Sequence, residues 1–354
     1  MKVLILSRYG RKGASSRLRI MQYAPLLKAS GAEVRVECLF GDQYLESLYA
    51  GRRDINGIVS AYRRRIRSLM RAKGADVIWL EKEALPWVPA AIEHWLLPHD
   101  VPLVVDYDDA VFHRYDRHRS AVVRGLLGGK IGQVMARAEL VIAGNYYLRD
   151  YALQAGAGRV EVVPTVVDAD AYAPKAKHDS DRTVTIGWVG TPGTWQDCVL
   201  PFLPDIQNAL SGLDARLMAV GAGRSADQLL GLTTRAWSED REVADIQAMD
   251  IGIMPLPDTP WMRGKCGYKL IQYMACGLPV VASPVGVNRD IVDHGVNGFL
   301  AEAPAEWTEA LRALVTDAAL RQRMGAKARA LVENQYSLGV QGPHIAKLLR
   351  SACA

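Results

Sequence analysis

Apolar residues in this chain come in short blocks separated by stretches with helical spacing. Residues 3–6 form an apolar run of strand length, followed by a loop over 7–16, a helical stretch from about Arg17 to Ala29 and a stop at Gly31. Residues 33–39 read as a second strand, and strand-sized runs recur at 77–80, 103–105, 140–143 and 160–163, most of them with helical segments between. Such alternation predicts a parallel sheet covered on both faces, because a parallel pair needs a long crossover and helices supply it. The pattern restarts at Val184, with runs at 184–189, 215–220, 251–254 and 280–282. Residues 304–349 are mostly helical: Trp307, Leu311, Leu314 and Val315 share one apolar face, and 322–334 is a further helix.

The fold class expected is therefore α/β, with two doubly wound parallel-sheet (Rossmann-like) domains facing across a cleft. The boundaries predicted are 1–170 for the first domain, 171–182 for a linker rich in Ala, Lys, Asp and Pro, and 183–335 for the second domain. A C-terminal helix at 336–354 is expected to return to the first domain. Ligands of doubly wound sheets bind beyond the carboxyl ends of the strands, so the chemistry is sought there.

Composition narrows the class. The 354 residues are 49% hydrophobic and 23% charged, which excludes a disordered or fibrous chain. No run approaches the roughly 18–20 apolar residues of a membrane span, and the opening apolar run is too short for a signal-peptide core. Five cysteines without a close-spaced pair argue against a disulfide framework and a structural zinc site, so a cytoplasmic protein is expected. The net charge of +5 is unevenly placed: residues 1–172 carry 25 Lys/Arg against 19 Asp/Glu, and the remainder is nearly neutral. Between Arg52 and Lys73 eight basic residues face one acid, Asp54. Ile58, Tyr62, Ile66, Leu69 and Met70 interleave with Arg63, Arg64, Arg65, Arg67 and Arg71, the spacing of an amphipathic basic helix. The partner expected for Arg63–Lys73 is an anionic membrane surface; a plain solvated face is the alternative.

The most informative segment runs from Trp261 to Ser283. It reads as a basic, glycine-bearing loop (Arg263-Gly264-Lys265-Cys266-Gly267), a helix from about Tyr268, a stop at Gly277 with Pro279 beyond, and a buried strand. The amino end of that helix presents N–H groups and the positive end of its dipole, suited to an anion. Arg263, Lys265 and Lys269 add charge, and Gln272 lies one turn further along the same face as Lys269.

Tyr273-Met274-Ala275-Cys276-Gly277-Leu278-Pro279-Val280-Val281 resembles the nucleotide-sugar signature of the retaining family 4 glycosyltransferases, which have the GT-B fold. Val162–Asp168, Asp250–Pro255, Ser283–Gly286 and Asn297–Leu300 resemble further landmarks of that family. The resemblance is strong in the second half and topological in the first. The family's two glutamates, eight positions apart, are replaced here by Gly264 and Gln272. The resemblance implies that Gln272 binds ribose and that main-chain N–H groups of Lys265, Cys266 and Gly267 replace the first glutamate. It also implies cations after the first strand of the second domain. This chain has Gly190-Thr191-Pro192-Gly193-Thr194 there, so Gly190, Thr191 and Thr194 are taken as hydroxyl and amide contacts to the diphosphate. The sugar-donor set expected is thus Gly190, Thr191, Thr194, Arg263, Gly264, Lys265, Cys266, Gly267, Tyr268, Lys269 and Gln272.

In the first half, Gly13, Ala14, Ser15, Ser16 and Arg17 follow the first strand and border the expected cleft. Their glycine spacing does not reproduce the dinucleotide fingerprint. Asp106-Tyr107-Asp108-Asp109 ends a buried strand in a carboxylate cluster, with His113 beyond. Packing explains such a cluster poorly, since like charges repel and desolvation is costly. Asp108 and Asp109, with Lys265, are the catalytic candidates, as carboxylates that orient the sugar and a cation on the diphosphate. Asp106 and His113 are cleft candidates, a structural histidine being the alternative. No metal and no cofactor is expected, as the resemblance implies. The function implied is transfer of a sugar from a nucleotide diphosphate to a saccharide or lipid-linked acceptor. Localisation is expected in the cytoplasm or on the inner face of the plasma membrane. The alternatives are an epimerase or hydrolase of nucleotide sugars, a non-catalytic sugar-nucleotide-binding subunit, and a nucleic-acid-binding role that would explain the arginines alone.

Overall fold

The computed structural model describes residues 1–49, 51, 52, 54–175 and 183–353. The chain forms two compact units: Met1–Thr165, Gly264–Cys266 and Gln341–Ala354 make the first, and Val166–Arg263 with Gly267–Val340 the second. Residues 176–182 of the expected linker lie outside the described residues.

The first unit holds a six-stranded sheet of β1 (Lys2–Tyr9), β2 (Glu33–Phe40), β3 (Val77–Glu81), β4 (Leu103–Tyr107), β5 (Leu140–Ala143) and β6 (Val160–Val162). Its order is β2-β1-β3-β4-β5-β6 and every neighbouring pair is parallel. Strands β3, β4 and β5 are buried at every position, which is why they read as unbroken apolar runs rather than alternating ones. Leu4, Leu6, Ile78, Leu80, Leu103, Val105, Val141 and Ala143 share a core with Leu69, Ala90, Leu127, Ile131 and Val134. Helices Ile55–Met70, Ala90–Leu96, Ala121–Leu127 and Lys130–Arg137 therefore cover one face of this sheet. In the same unit, Gly342 of helix Leu338–Ala352 lies so close to Leu26 that a Cβ would meet its Cδ1 at 2.5 Å.

The second unit repeats the arrangement with β7 (Val184–Val189), β8 (Ala215–Val220), β9 (Leu232–Arg235), β10 (Ile251–Met254), β11 (Val280–Ala282) and β12 (Gly298–Leu300). The order is β12-β11-β10-β7-β8-β9, again wholly parallel. Helix Tyr268–Ala275 packs on this sheet, where the missing Cβ of Gly252 makes room for the Tyr273 ring (2.3 Å from its would-be Cβ). The Val189 N–H donates to the Tyr273 hydroxyl at 2.9 Å, tying that helix to β7.

In each sheet the strand order reverses once, between β1 and β3 in the first and between β7 and β10 in the second. The crevice at such a reversal is where doubly wound sheets take ligands. Both sheets match the α/β expectation. Two strands escape the hydrophobic pattern: β9, a part-polar edge strand, and β12, only three residues long. The helix expected over 17–29 is broken into a π-type turn Ser16–Ile20, a tight turn Met21–Tyr23 and a short helix Ala24–Ala29 with Pro25 in its first turn. Arg65 is corrected from the basic face to the interior: its guanidinium donates to the carbonyls of Ser7 and Glu37, and burial lowers its pKa to about 10.

Candidate functional site

At the carboxyl ends of β1, β3 and β4 the first unit gathers a layer of buried charge. Glu81, the last residue of β3, accepts from the Arg8 N–H (2.8 Å) and the Ser16 hydroxyl (2.6 Å). It thereby pins the loop after β1, and burial raises its pKa. Asp106 is held by Arg19 at 2.8 Å, and desolvation pushes its carboxyl up to about 6 despite that guanidinium. Lys82 follows β3 with φ 63°, in the left-handed region that a side chain disfavours. Its N–H donates to the Asp106 carbonyl (2.9 Å), and its carbonyl accepts from the Tyr107 hydroxyl (2.5 Å). Its ammonium lies 2.8 Å from Asp108, 3.4 Å from Asp109 and 3.3 Å from the Ser15 hydroxyl. Burial opposes the charge on Lys82, but Asp108, Asp109 and Glu81 outweigh it and its pKa is raised. Burial likewise opposes the charge on Asp108, and Lys82, then Arg19, holds its carboxyl below the usual aspartate value.

The segment Gly264–Cys266 belongs to this layer. Lys265 stands 3.6 Å from Asp109, its carbonyl accepts from the Asn145 amide at 2.9 Å, and the Cys266 thiol points at the Asp108 carbonyl, 3.2 Å away. Gly264 faces the backbone of Ala110, and a Cβ there would lie 2.7 Å from the Ala110 nitrogen and 2.4 Å from its Cβ. No side chain fits at 264, so the replacement of a family glutamate by glycine has a steric counterpart in the first unit.

Beneath the layer, Glu83 and Lys130 pair at 2.7 Å with neither side chain exposed, and Lys130 also meets Glu93 at 2.7 Å. Arg8 and the Tyr115 hydroxyl reach Glu83 from the other side. A buried pair of this kind is costly to break and fixes the 82–89 loop. That loop bears the chain's two non-glycine residues with positive φ among those described, Lys82 and Trp87.

In the second unit, Lys269 extends from helix Tyr268–Ala275 to the carboxyl end of β7. Its ammonium lies 5.6 Å from the centre of the Trp188 ring. Gly190 lies beneath: a Cβ there would meet the Trp188 ring at 2.5 Å and Lys269 Cε at 2.9 Å. Thr191 and Thr194 form a reciprocal cap, the Thr191 N–H donating to the Thr194 hydroxyl at 3.0 Å and the Thr194 N–H to the Thr191 hydroxyl at 3.4 Å. Their hydroxyls take part in starting the helix. Gly267, with φ 65°, opens helix Tyr268–Ala275. Arg263 is gripped by both oxygens of Asp258 at 2.6 and 2.8 Å.

Gln272 is buried, and its amide donates to the Tyr172 hydroxyl at 3.0 Å. That hydroxyl gives its one proton to Glu242, and the Tyr268 hydroxyl is 3.3 Å away. The indole N–H of Trp237 donates to the other oxygen of Glu242 at 2.7 Å. A hydroxyl has one donor, and here Glu242 takes it, so the partner at 272 must itself donate. Glutamine does so and a carboxylate cannot. The second departure from the family pattern also has a local cause.

The structure thus gathers Ser15, Ser16, Asp106, Asp108, Asp109, Lys265 and Cys266 in one layer of the first unit, and Gly190 with Lys269 in the second. Gly13 is buried, Ala14 exposed, and Arg17 donates to the Arg11 carbonyl at 3.2 Å. His113 has partners on both ring nitrogens, Asp116 at 3.0 Å and the Tyr147 hydroxyl at 2.8 Å, which is how a structural histidine is held. Lys82, Glu81, Tyr172 and Glu242 are site residues that sequence reasoning missed. Glu81-Lys82-Glu83 carried a legible signal, a charged triplet ending an apolar strand like that at 106–109. Among the described residues, no three His, Cys, Asp or Glu side chains converge as a metal site, and Asp108 and Asp109 face an ammonium.

A family model described as glycosyl transferases group 1 matches residues 183–317. The chain is similar to the D-inositol 3-phosphate glycosyltransferase of Xylanimonas cellulosilytica, 29% identical over 289 residues, which are 71% of this chain and 65% of that protein. It spans less than two thirds of the length of each curated relative it matches. Among solved structures, sucrose-phosphate synthase from Thermosynechococcus elongatus superposes with a TM-score of 0.75 at 15% identity, over 99% of this chain and 98% of that one. HepE from Anabaena in complex with UDP-glucose gives 0.73 at 19% identity, over 99% and 100%. At these identities the likeness establishes the fold, and the fold of the whole chain is that of the GT-B glycosyltransferases, to which the group 1 segment contributes the second sheet.

Proposed function

We propose that this chain is a glycosyltransferase that moves a hexosyl unit from a nucleotide-diphosphate donor to a saccharide or lipid-linked acceptor, with retention of configuration, in cell-surface polysaccharide or glycoconjugate assembly. The observation that carries the reading is Lys269, packed with the Trp188 ring against Gly190 at the strand-order reversal of the second sheet. The missing Cβ of Gly190 makes room for the Trp188 ring and the Lys269 stem, and an ammonium seated there offsets the charge that gathers on a departing diphosphate. Lys265 serves as the second cation, and Asp108 and Asp109 accept from sugar hydroxyls. Gln272 binds the ribose once its amide leaves Tyr172. The UDP-glucose complex of HepE and the inositol phosphate transferase relative support an activated sugar as substrate. In this reading Lys265 and Lys269 offset the diphosphate charge in place of a metal, no cofactor takes part, and the leaving phosphate oxygen takes the acceptor proton.

A second reading is favoured by the two closed glutamate positions: a subunit that binds sugar nucleotides without turning them over. One experiment separates the two. The full chain is incubated with a panel of nucleotide-diphosphate sugars, with and without saccharide and lipid acceptors, while calorimetry follows binding and chromatography follows nucleotide release. Acceptor-dependent release supports transfer, release without acceptor points to hydrolysis, and binding without release supports the subunit reading. Absence of binding sinks both.

Contact with an anionic membrane belongs to the same reading, and burial supports it. Helices Ile55–Met70, Ala90–Leu96 and Ala121–Leu127 lie on one face of the first sheet and expose Val59, Met70, Ile92, Trp95 (81% exposed), Val122 and Leu126. Arg63, Arg64, Arg67, Arg71, Lys73, Arg119 and Arg124 are exposed with them. Segments 55–75, 84–99 and 117–138 contain a single acid, Glu93, and it is buried against Lys130. Each such cation adds ~1 kcal/mol at an anionic surface. Trp95 fluorescence should shift to the blue with phosphatidylglycerol vesicles and not with phosphatidylcholine. No shift with either lipid removes the membrane from the reading.

A further inference from the structure

We propose that Lys82 is a positioning residue for this transfer: its ammonium aims Asp108 and Asp109 at the substrate and supplies the counter-charge that lets them act as hydrogen-bond acceptors. The inference rests on the transfer reading above. Three observations carry it.

The first is cost. A non-glycine residue at φ 63° is strained by roughly 1–2 kcal/mol. Any residue that merely continued the chain here would be better as glycine or asparagine. The strain is held in place by the Asp106 carbonyl on the Lys82 N–H and by the Tyr107 hydroxyl on its carbonyl. The second is reach. The side chain is 7% exposed and its ammonium lies 2.8, 3.4 and 3.3 Å from Asp108, Asp109 and Ser15, residues of two different loops. The third is charge. Two adjacent carboxylates without a counter-ion share a proton, and a protonated carboxyl donates where a sugar hydroxyl needs an acceptor. Lys82 bridges the pair, whereas Lys265 touches Asp109 alone.

The other groups that bear on Asp108 are Arg19 and the Ser15 hydroxyl, which help hold it ionised, and Glu81 and Asp106, each coupled to it by like charge, with Cys266 close by. Of these, Lys82 has the largest lowering effect on Asp108. Losing it raises the pH at which Asp108 takes a proton, so the acid limb of kcat must move upward.

The test uses the full chain labelled with carboxyl carbon-13 aspartate, the Asp108 signal being identified by its loss in Asp108→Asn. Lys82→Met is expected to raise the Asp108 titration by about one pH unit or more, with the acid limb of kcat following while KM for the sugar donor changes little. Lys82→Arg restores both in part, which a purely structural role would not do. An Asp108 titration unchanged in Lys82→Met overturns the proposal. If that variant does not fold, the wild type decides: an Asp108 signal titrating at or above the ordinary aspartate value overturns it, and one below supports it. A raised titration in a protein whose wild type turns over no sugar donor would leave Lys82 the partner of Asp108 and remove the transfer reading instead.

Discussion

Replacing Lys269 by methionine tests the centre of the proposed site with least disturbance to the fold. Methionine keeps an unbranched stem of similar length, so packing over Trp188 and above Gly190 survives while the charge is lost. The cation–π contact at 5.6 Å is worth about 0.5–1 kcal/mol, a small part of the stability of a domain. A charge-assisted hydrogen bond to a diphosphate is worth about 1.5–3 kcal/mol in binding, or roughly 10- to 150-fold in Kd. If the lysine also stabilises charge that builds up only as the glycosidic bond breaks, kcat falls by a further ~100-fold. Calorimetry with the diphosphates of uridine, guanosine, adenosine and thymidine reads the first quantity. Nucleotide release under saturating sugar donor reads the second. The binding loss should shrink as salt rises, since the interaction is one of charge. Nucleotide affinity and turnover both at wild-type level in Lys269→Met would refute the placement of the diphosphate at Gly190, whatever the fold.

Three further outcomes follow from the geometry. Gly264→Glu, which reinstates the family residue, should lower Tm and activity together, because its Cβ meets Ala110 and overpacking costs about 1–3 kcal/mol; a variant as stable as wild type would remove the steric account. Gln272→Glu sets an acceptor against a Tyr172 hydroxyl already committed to Glu242, so about 1–3 kcal/mol of stability should disappear, and Glu242→Gln in the same chain should return part of it. Asp108 has its folded pKa depressed, so its contribution to stability is fully present above about pH 4 and is lost as pH falls through the depressed value. Denaturant midpoints measured from pH 5 down to pH 2 should therefore fall less steeply in Asp108→Asn than in wild type, and equal slopes would contradict the pairing with Lys82.

Much of the fold was legible because buried parallel strands leave a plain mark. The runs at 77–80, 103–105 and 140–143 are apolar throughout, and those at 184–189 and 251–254 are broken only by Thr185, Gly187 and Gly252, since both faces of each strand are covered. Edges were harder. Strand β9 is half polar and β12 spans three residues, so neither stands out from loop. The basic helix was read correctly as amphipathic, but Arg65 was counted with the exposed arginines. Spacing alone does not say that a guanidinium has two main-chain carbonyls waiting in the interior. Trp95, of a residue type usually found in cores, proved to be among the most exposed large apolar residues.

The candidate site divides along the same line. Local sequence determined where chain direction and backbone freedom allow an anion to approach: Gly190 after a strand, Gly267 before a helix, and lysines at 265 and 269 beside them. It also determined that carboxylates crowd the end of β4. Tertiary structure alone decided what those groups face. Ala110 closes position 264, Tyr172 and Glu242 dictate a hydrogen-bond donor at 272, and Lys82 sits between Asp108 and Asp109. Periodicity and turn chemistry act between residues a few positions apart, and a sequence displays them directly. Charge pairing and close approach act between residues as far apart as 158 positions, such as Cys266 with Asp108, or 27, as in Lys82 with Asp109, and only the packed chain brings them within reach.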